Sequence, residues 1–136
     1  MMGIIDRMRS GALYGKAVAK FLRRDFAGAA ILFEESRRLL PEDERIEFTL
    51  SYIGRCYAAL GRTAEALQVL EEAYEPFCRR SQTLQEPNEQ REFLDFLKAF
   101  SGVLKESGQR ERSRDVESEM ERQAHRFRMA KHGTAD

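Results

Sequence analysis

The chain has 136 residues, 42% hydrophobic and 34% charged, and its 23 basic and 23 acidic side chains cancel to zero net charge. That length supports one domain burying about two-thirds of its unfolded surface, and is short for two. The composition excludes a disordered chain, and the charge balance leaves no global field drawing the protein to nucleic acid or an anionic membrane, so electrostatic specificity has to be local.

The longest apolar run, Phe26 to Phe33, falls far short of the roughly 20 residues that span a bilayer. The opening MMGIIDRMRSG has no continuous apolar segment before a small-residue cleavage site, and is not expected to act as a secretory signal. Cys56 and Cys78 lie inside helix-like patterns and not in a paired framework, which points to a reducing, cytoplasmic setting.

Ile4, Ile5, Met8, Leu13, Ala17 and Phe21 recur at helical spacing and predict a first helix ending near Arg24. A second is expected over about 27–40, with Ala29, Ala30, Phe33, Ser36 and Leu40 on one face; Pro41 stops it, and Glu42 and Asp43 open the next. Ile46, Leu50, Ile53, Gly54 and Tyr57 mark a third over about 44–60, closed by Gly61 in a left-handed cap. Thr63 is expected to cap a fourth that runs to about residue 84 despite Pro76, burying Ala66, Leu67, Leu70, Ala73, Tyr74 and Phe77.

A polar loop with Pro87 is predicted at about 85–90. Phe93, Phe96, Leu97, Phe100 and Leu104 then form a strongly apolar stripe that ends at Gly108. A last charged helix over about 109–131 keeps a thinner stripe of Val116, Met120, Ala124 and Phe127, and no strand pattern is present.

Small residues recur among large apolar ones, and in antiparallel helices a small residue lets the partner backbone approach. Gly54 is expected to face Ala66 within one hairpin, and Ala73 to give room to the helix that packs next. Leu50, Ile53 with Gly54, Tyr57, the turn at Gly61, then Ala66, Leu70 and Ala73 resemble a tetratricopeptide repeat. Ahead of them Phe26, Ala29, Phe33, Ser36 and Pro41 resemble the second helix of another copy. Its first helix fits on Tyr14, Ala17 and Phe21 if its turn is one residue short, with Val18 at the small position. A degenerate third copy lies on Leu97, Phe100 with Ser101, Leu104, Gly108, Ser113 and Met120, with Glu117 where an aromatic belongs. The resemblance implies an all-α fold of about six helices, a right-handed stack of antiparallel hairpins in one domain over 1–136. Its repeat-like segments lie at about 10–41, 47–79 and 93–125.

Sites for chemistry are sparse. His125 and His132 share a helix face near Glu121, but structural zinc takes four ligands and no cysteine is close; the expected role of RQAHRFRMAKH is positive charge at a helix C-terminus. Cys56 beside Arg55 reads as a buried thiol. No glycine-rich phosphate loop occurs, so the expectation is a non-enzymatic protein without cofactor or metal. The basic run 122–131 with Phe127 has the residue types for nucleic acid, but Glu117, Glu119 and Glu121 precede it, and a solvated helix face is the expectation.

The resemblance implies that the first helix of each hairpin lines a concave surface where a peptide or partner helix lies. Tyr14, Arg55, Lys98 and Lys105, with Lys16 and Arg23 nearby, make that groove locally basic and suggest an adaptor, chaperone-like in action, for an acidic partner. A clamp of lysine, arginine and asparagine for a C-terminal carboxylate is not supported, since the single asparagine is Asn88 in the predicted loop. The alternative is a self-associating scaffold in which a second copy covers Ile4, Ile5 and Met8 at one end and Phe93 and Phe96 near the loop. A membrane anchor through the same N-terminal residues, flanked by Arg7 and Arg9, is the weaker alternative.

Overall fold

A computed structural model of the chain describes residues 3–40 and 45–131. The predicted turn at Pro41 to Glu44, and His132, lie outside the described residues. Six helices and no strand are present among the described residues: α1 (Ile4–Leu22), α2 (Phe26–Leu39), α3 (Ile46–Ala59), α4 (Thr63–Ser81), α5 (Pro87–Glu106) and α6 (Arg110–Lys131). Consecutive helices pack as three hairpins, α1 with α2, α3 with α4 and α5 with α6; α3 also packs on α2 and α5, and α4 on α5.

Boundaries differ from expectation where caps are concerned. Thr63 begins α4 and does not cap it; Arg62 holds the cap position without a side-chain hydrogen bond. Pro87 stands in the first turn of α5, where its missing N–H has no intrahelical partner to lose, so the predicted loop at 85–90 is shorter and earlier. Pro76 lies inside α4 without ending it, and the carbonyl it frees belongs to the exposed Glu72.

The hairpins are built on one turn. Arg24, Gly61 and Gly108 all have positive φ, at 68°, 77° and 85°. In each turn the following amide donates back across the helix end: Asp25 to the Lys20 carbonyl at 2.9 Å, Arg62 to Tyr57 at 2.8 Å and Gln109 to Leu104 at 2.9 Å. This is the Schellman arrangement, which favours glycine at the left-handed position. Aligned on that residue, Ala17, Gly54 and Ser101 are equivalent before the turn and Ala29, Ala66 and Ser113 after it, and all six are buried. The first turn is therefore not one residue short: Ala17, and not Val18, is the small residue, and the register shifts because Arg24 stands where the other two turns have glycine.

Small residues mark the crossings. A Cβ on Gly54 would stand 2.5 Å from Leu70 Cγ, so the side chain filling the space over Gly54 is Leu70 and not Ala66. In the first hairpin Ser10 and Ser36 are buried and exchange hydrogen bonds, each hydroxyl reaching the other's carbonyl at 3.0–3.1 Å. In the third, the Ser113 hydroxyl donates to the Ser101 carbonyl at 2.8 Å.

Two aromatic clusters fill the junctions between hairpins. Phe33 stacks on Tyr52 with ring centroids 4.8 Å apart, and Tyr14 and Phe21 meet Tyr52 edge-on at 5.9 and 5.0 Å. Phe77 meets Phe48 at 4.7 Å, Phe93 at 5.0 Å and Phe96 at 5.1 Å. Phe93 and Phe96 are fully buried, which corrects the expectation that a second copy covers them. Glu47 is buried as well, paired with Arg80 near the end of α4.

Gly54→Ala is expected to destabilise the fold by about 1–3 kcal/mol through overpacking against Leu70, and Leu70→Ala by about 2–5 kcal/mol through a cavity. Together they should cost less than their sum, because the new methyl group enters the space that Leu70 vacates; urea midpoints of the three variants check this. Arg24→Gly relieves a left-handed conformation and should stabilise by about 0.5–1 kcal/mol after the entropy of glycine is counted, read from the same curves.

Candidate partner-binding site

The predicted site residues lie mainly on α1, α3 and α5, and the structure joins only some of them. Arg55 projects from α3 between two aromatic faces, its guanidinium 4.9 Å from the ring centres of both Phe21 and Tyr52. It donates to Glu92 Oε1 at 3.1 Å and lies 3.7 Å from Asp95 Oδ2, with only 15% of its side chain exposed. Two carboxylates already meet its charge, so this part of the face is not basic as expected from the sequence.

Glu92 also accepts a hydrogen bond from the Tyr52 hydroxyl. One turn away, Arg45 pairs with Glu89 at 2.6 Å and lies over the Phe48 ring at 4.2 Å. Glu89, Glu92 and Asp95, spaced three apart on α5, thus form an acidic ridge that staples α5 to α3. Sequence reasoning missed the ridge; its available signal was the spacing of three carboxylates opposite Arg45, Tyr52 and Arg55.

Tyr14 reaches the cluster from α1, edge-on to Phe33 at 5.6 Å, and lines a cleft of about 180 Å³ with Ser10, Gly11, Arg45 and Phe48. Burial, reinforced by Glu92, pushes its hydroxyl up to about 12. Tyr52 is raised further, by burial first and then by its hydrogen bond to Glu92. Lys16 and Arg23 do not join this cluster. Lys16 is two residues on from Tyr14, about 200° around the helix, and both basic residues are exposed.

Lys98 and Lys105 stand elsewhere on α5. With Arg91 and Gly102 they share one exposed stripe, and none of the three cations makes an ion pair among the described residues. Nothing lies within 4 Å of where a Cβ would stand on Gly102. The stripe continues into a hollow of about 270 Å³ lined by Lys105, Arg110, Ser113, Arg114 and Glu117 at the start of α6. Arg91, Arg110 and Arg114 were not singled out from sequence, because their separation from carboxylates is a tertiary property.

Cys56 is buried, and burial pushes its thiol up to about 12 against a smaller opposing effect of Arg55, so it is protonated at neutral pH. Among the described residues no group of three metal-donor side chains converges, and no helix is long and apolar enough to cross a membrane. No protein-family model, curated protein or solved structure matches the chain.

The raised groups fix the response to alkali. A folded pKa above the unfolded one contributes stability that is whole below the unfolded value and lost as pH rises through the folded value. For Cys56 and Tyr14 the unfolded values are 9.0 and 10.0 and the folded ones about 12. Urea midpoints should therefore hold to about pH 9 and fall between there and about pH 12, with Cys56→Val delaying the onset. A midpoint flat across that range would show that neither group is enclosed.

Proposed function

We propose that the chain is a short tetratricopeptide-like stack that binds another protein and catalyses no reaction, with an acidic segment of the partner held along the outer stripe of α5. The observation that carries the reading is a separation of charge on one helix. The α5 carboxylates Glu89, Glu92 and Asp95 are turned into contacts with α3 or its N-terminal end, while Arg91, Lys98 and Lys105 remain exposed and unpaired among the described residues. Gly102 sits among these cations with open space above it, so a partner backbone can approach closely between two lysines.

Three hairpins on one turn, with small buried residues at equivalent places, support the repeat reading over an arbitrary helical bundle. A protonated, buried Cys56 supports a binding role over thiol chemistry. The unbonded state of Cys56 and Cys78 supports a cytoplasmic setting, and an adaptor or chaperone-like holder is the role this surface serves.

A fluorescein-labelled peptide rich in glutamate and aspartate provides the test. Lys98→Glu with Lys105→Glu should weaken its binding by about tenfold or more, and rising salt should weaken binding to the parent. Both lysines are exposed, so the variant should keep the parent's urea midpoint. Equal affinity of parent and variant, or preference for an oligonucleotide over the peptide, would remove the proposal.

A further inference from the structure

Helix α1 carries four of the exposed large apolar side chains, Ile4, Ile5, Met8 and Leu22, each 68–75% exposed. At 3.6 residues per turn, Ile4, Met8, Gly11, Gly15, Ala19 and Leu22 fall within one arc of about 80°, opposite the buried Ser10 and Ala17. No charged residue enters that arc. Arg9, Lys16 and Arg23 run along one of its edges, and neither Lys16 nor Arg23 makes an ion pair among the described residues.

Gly11 and Gly15 sit one turn apart at the centre of this face, and nothing lies within 4 Å of where their Cβ atoms would stand. Glycine weakens a helix interior relative to alanine. At Gly54 that weakness is offset by the entry of Leu70, whereas at Gly11 and Gly15 the described chain supplies nothing to enter. The face is a notched apolar surface with a cationic border.

We infer that the outer face of α1 is a second docking surface, for an amphipathic helix of another protein that bears apolar side chains along one face and carboxylates beside them. The notch sets the kind of partner, because two glycines a turn apart let a ridge of side chains or a second backbone approach closely, which a lipid surface does not need. The border sets its charge. A second copy of α1 laid antiparallel about the two glycines would bring Arg9 of one copy beside Lys16 of the other, and a parallel copy would oppose each cation to itself; both juxtapositions are repulsive. The inference does not depend on the α5 stripe, which belongs to another hairpin.

The probes are two synthetic leucine–alanine helices, one flanked by glutamates and one by lysines, titrated by fluorescence anisotropy against the whole chain. The glutamate helix should bind, and the lysine helix should bind about tenfold more weakly or worse. Gly15→Leu should fill the notch and weaken the glutamate helix by about tenfold or more, while the melting temperature holds or rises, since leucine favours the helix and meets open space. Met8→Glu should weaken it similarly, and Lys98→Glu with Lys105→Glu should leave it within about twofold, as expected for separate, independent sites. Equal affinity for both helices, or Gly15→Leu binding like the parent, overturns the inference. So does co-sedimentation with phosphatidylserine vesicles without helix binding, which assigns the face to a membrane. A dimer abolished by Met8→Glu, again without helix binding, assigns it to a second copy.

Discussion

The central helix has almost no solvent face: every residue of α3 from Glu47 to Gly54 is buried, and Cys56 with them. A helix enclosed in this way imposes conditions on each neighbour. Where α4 crosses, the space over Gly54 admits Leu70. Where α1 and α2 cross, Tyr52 presents a ring to Phe33 and Phe21. Where α5 crosses, Tyr52 and Arg55 need anionic partners and find Glu92 and Asp95. Glu47 imposes the strictest condition, since an ionised carboxylate taken out of water without a partner costs several kcal/mol. Its partner Arg80 lies in the last turn of α4, so α4 has to run 19 residues where α2 runs 14. The unequal length of the hairpins thus follows in part from one buried charge. The same extension brings the Ser81 carbonyl, at the end of α4, within 2.8 Å of Arg126 on α6.

What could be read from sequence was what depends on spacing along one helix. Leu50, Ile53, Gly54, Ala66, Leu70 and Ala73 are buried, and each sits at a three- or four-residue interval from another. Gly61 and Gly108 announced their turns because glycine is the residue those dihedral angles favour. Arg24 adopts the same conformation with a side chain that announces nothing, and the register of the first hairpin slipped by one residue for that reason. The pairing of Arg55 with Glu92 was invisible for a different reason. The two are separated by 37 positions and by an intervening helix, and periodicity within α3 says only that Arg55 borders the packed face. A basic residue beside a groove and a basic residue neutralised in a junction have the same local pattern.

That distinction reorganises the candidate site. The chain is neutral overall, yet its pairing is uneven. Carboxylates of α5 are spent on α3, Glu72 holds Arg37 across α2 and α4, and Glu71 holds Arg112 across α4 and α6. Because so many acidic groups serve as links between helices, the surplus of exposed positive charge gathers on the last hairpin, at Lys98, Lys105, Arg110 and Arg114. Local basicity arises here from the use of anions in packing, with no excess of cations in the sequence. Such a patch is screened by salt over about 8–10 Å, and so acts on a partner already close to the surface.

The two ends of the chain of hairpins are finished differently. The outward positions of α6 are Arg114, Asp115, Glu117, Ser118, Glu121 and Arg122, a mixed-charge face with which water is a sufficient neighbour. The outward face of α1 is apolar and small, and its large side chains stay in water at the usual cost of about 25 cal/mol for each Å² of apolar surface. A helix that only had to close a stack would place charge there, as α6 does. An apolar face with a cationic border and a glycine notch is instead the chemistry of a helix prepared for a neighbour, and Lys16 and Arg23, drawn from sequence as groove residues, belong to that border.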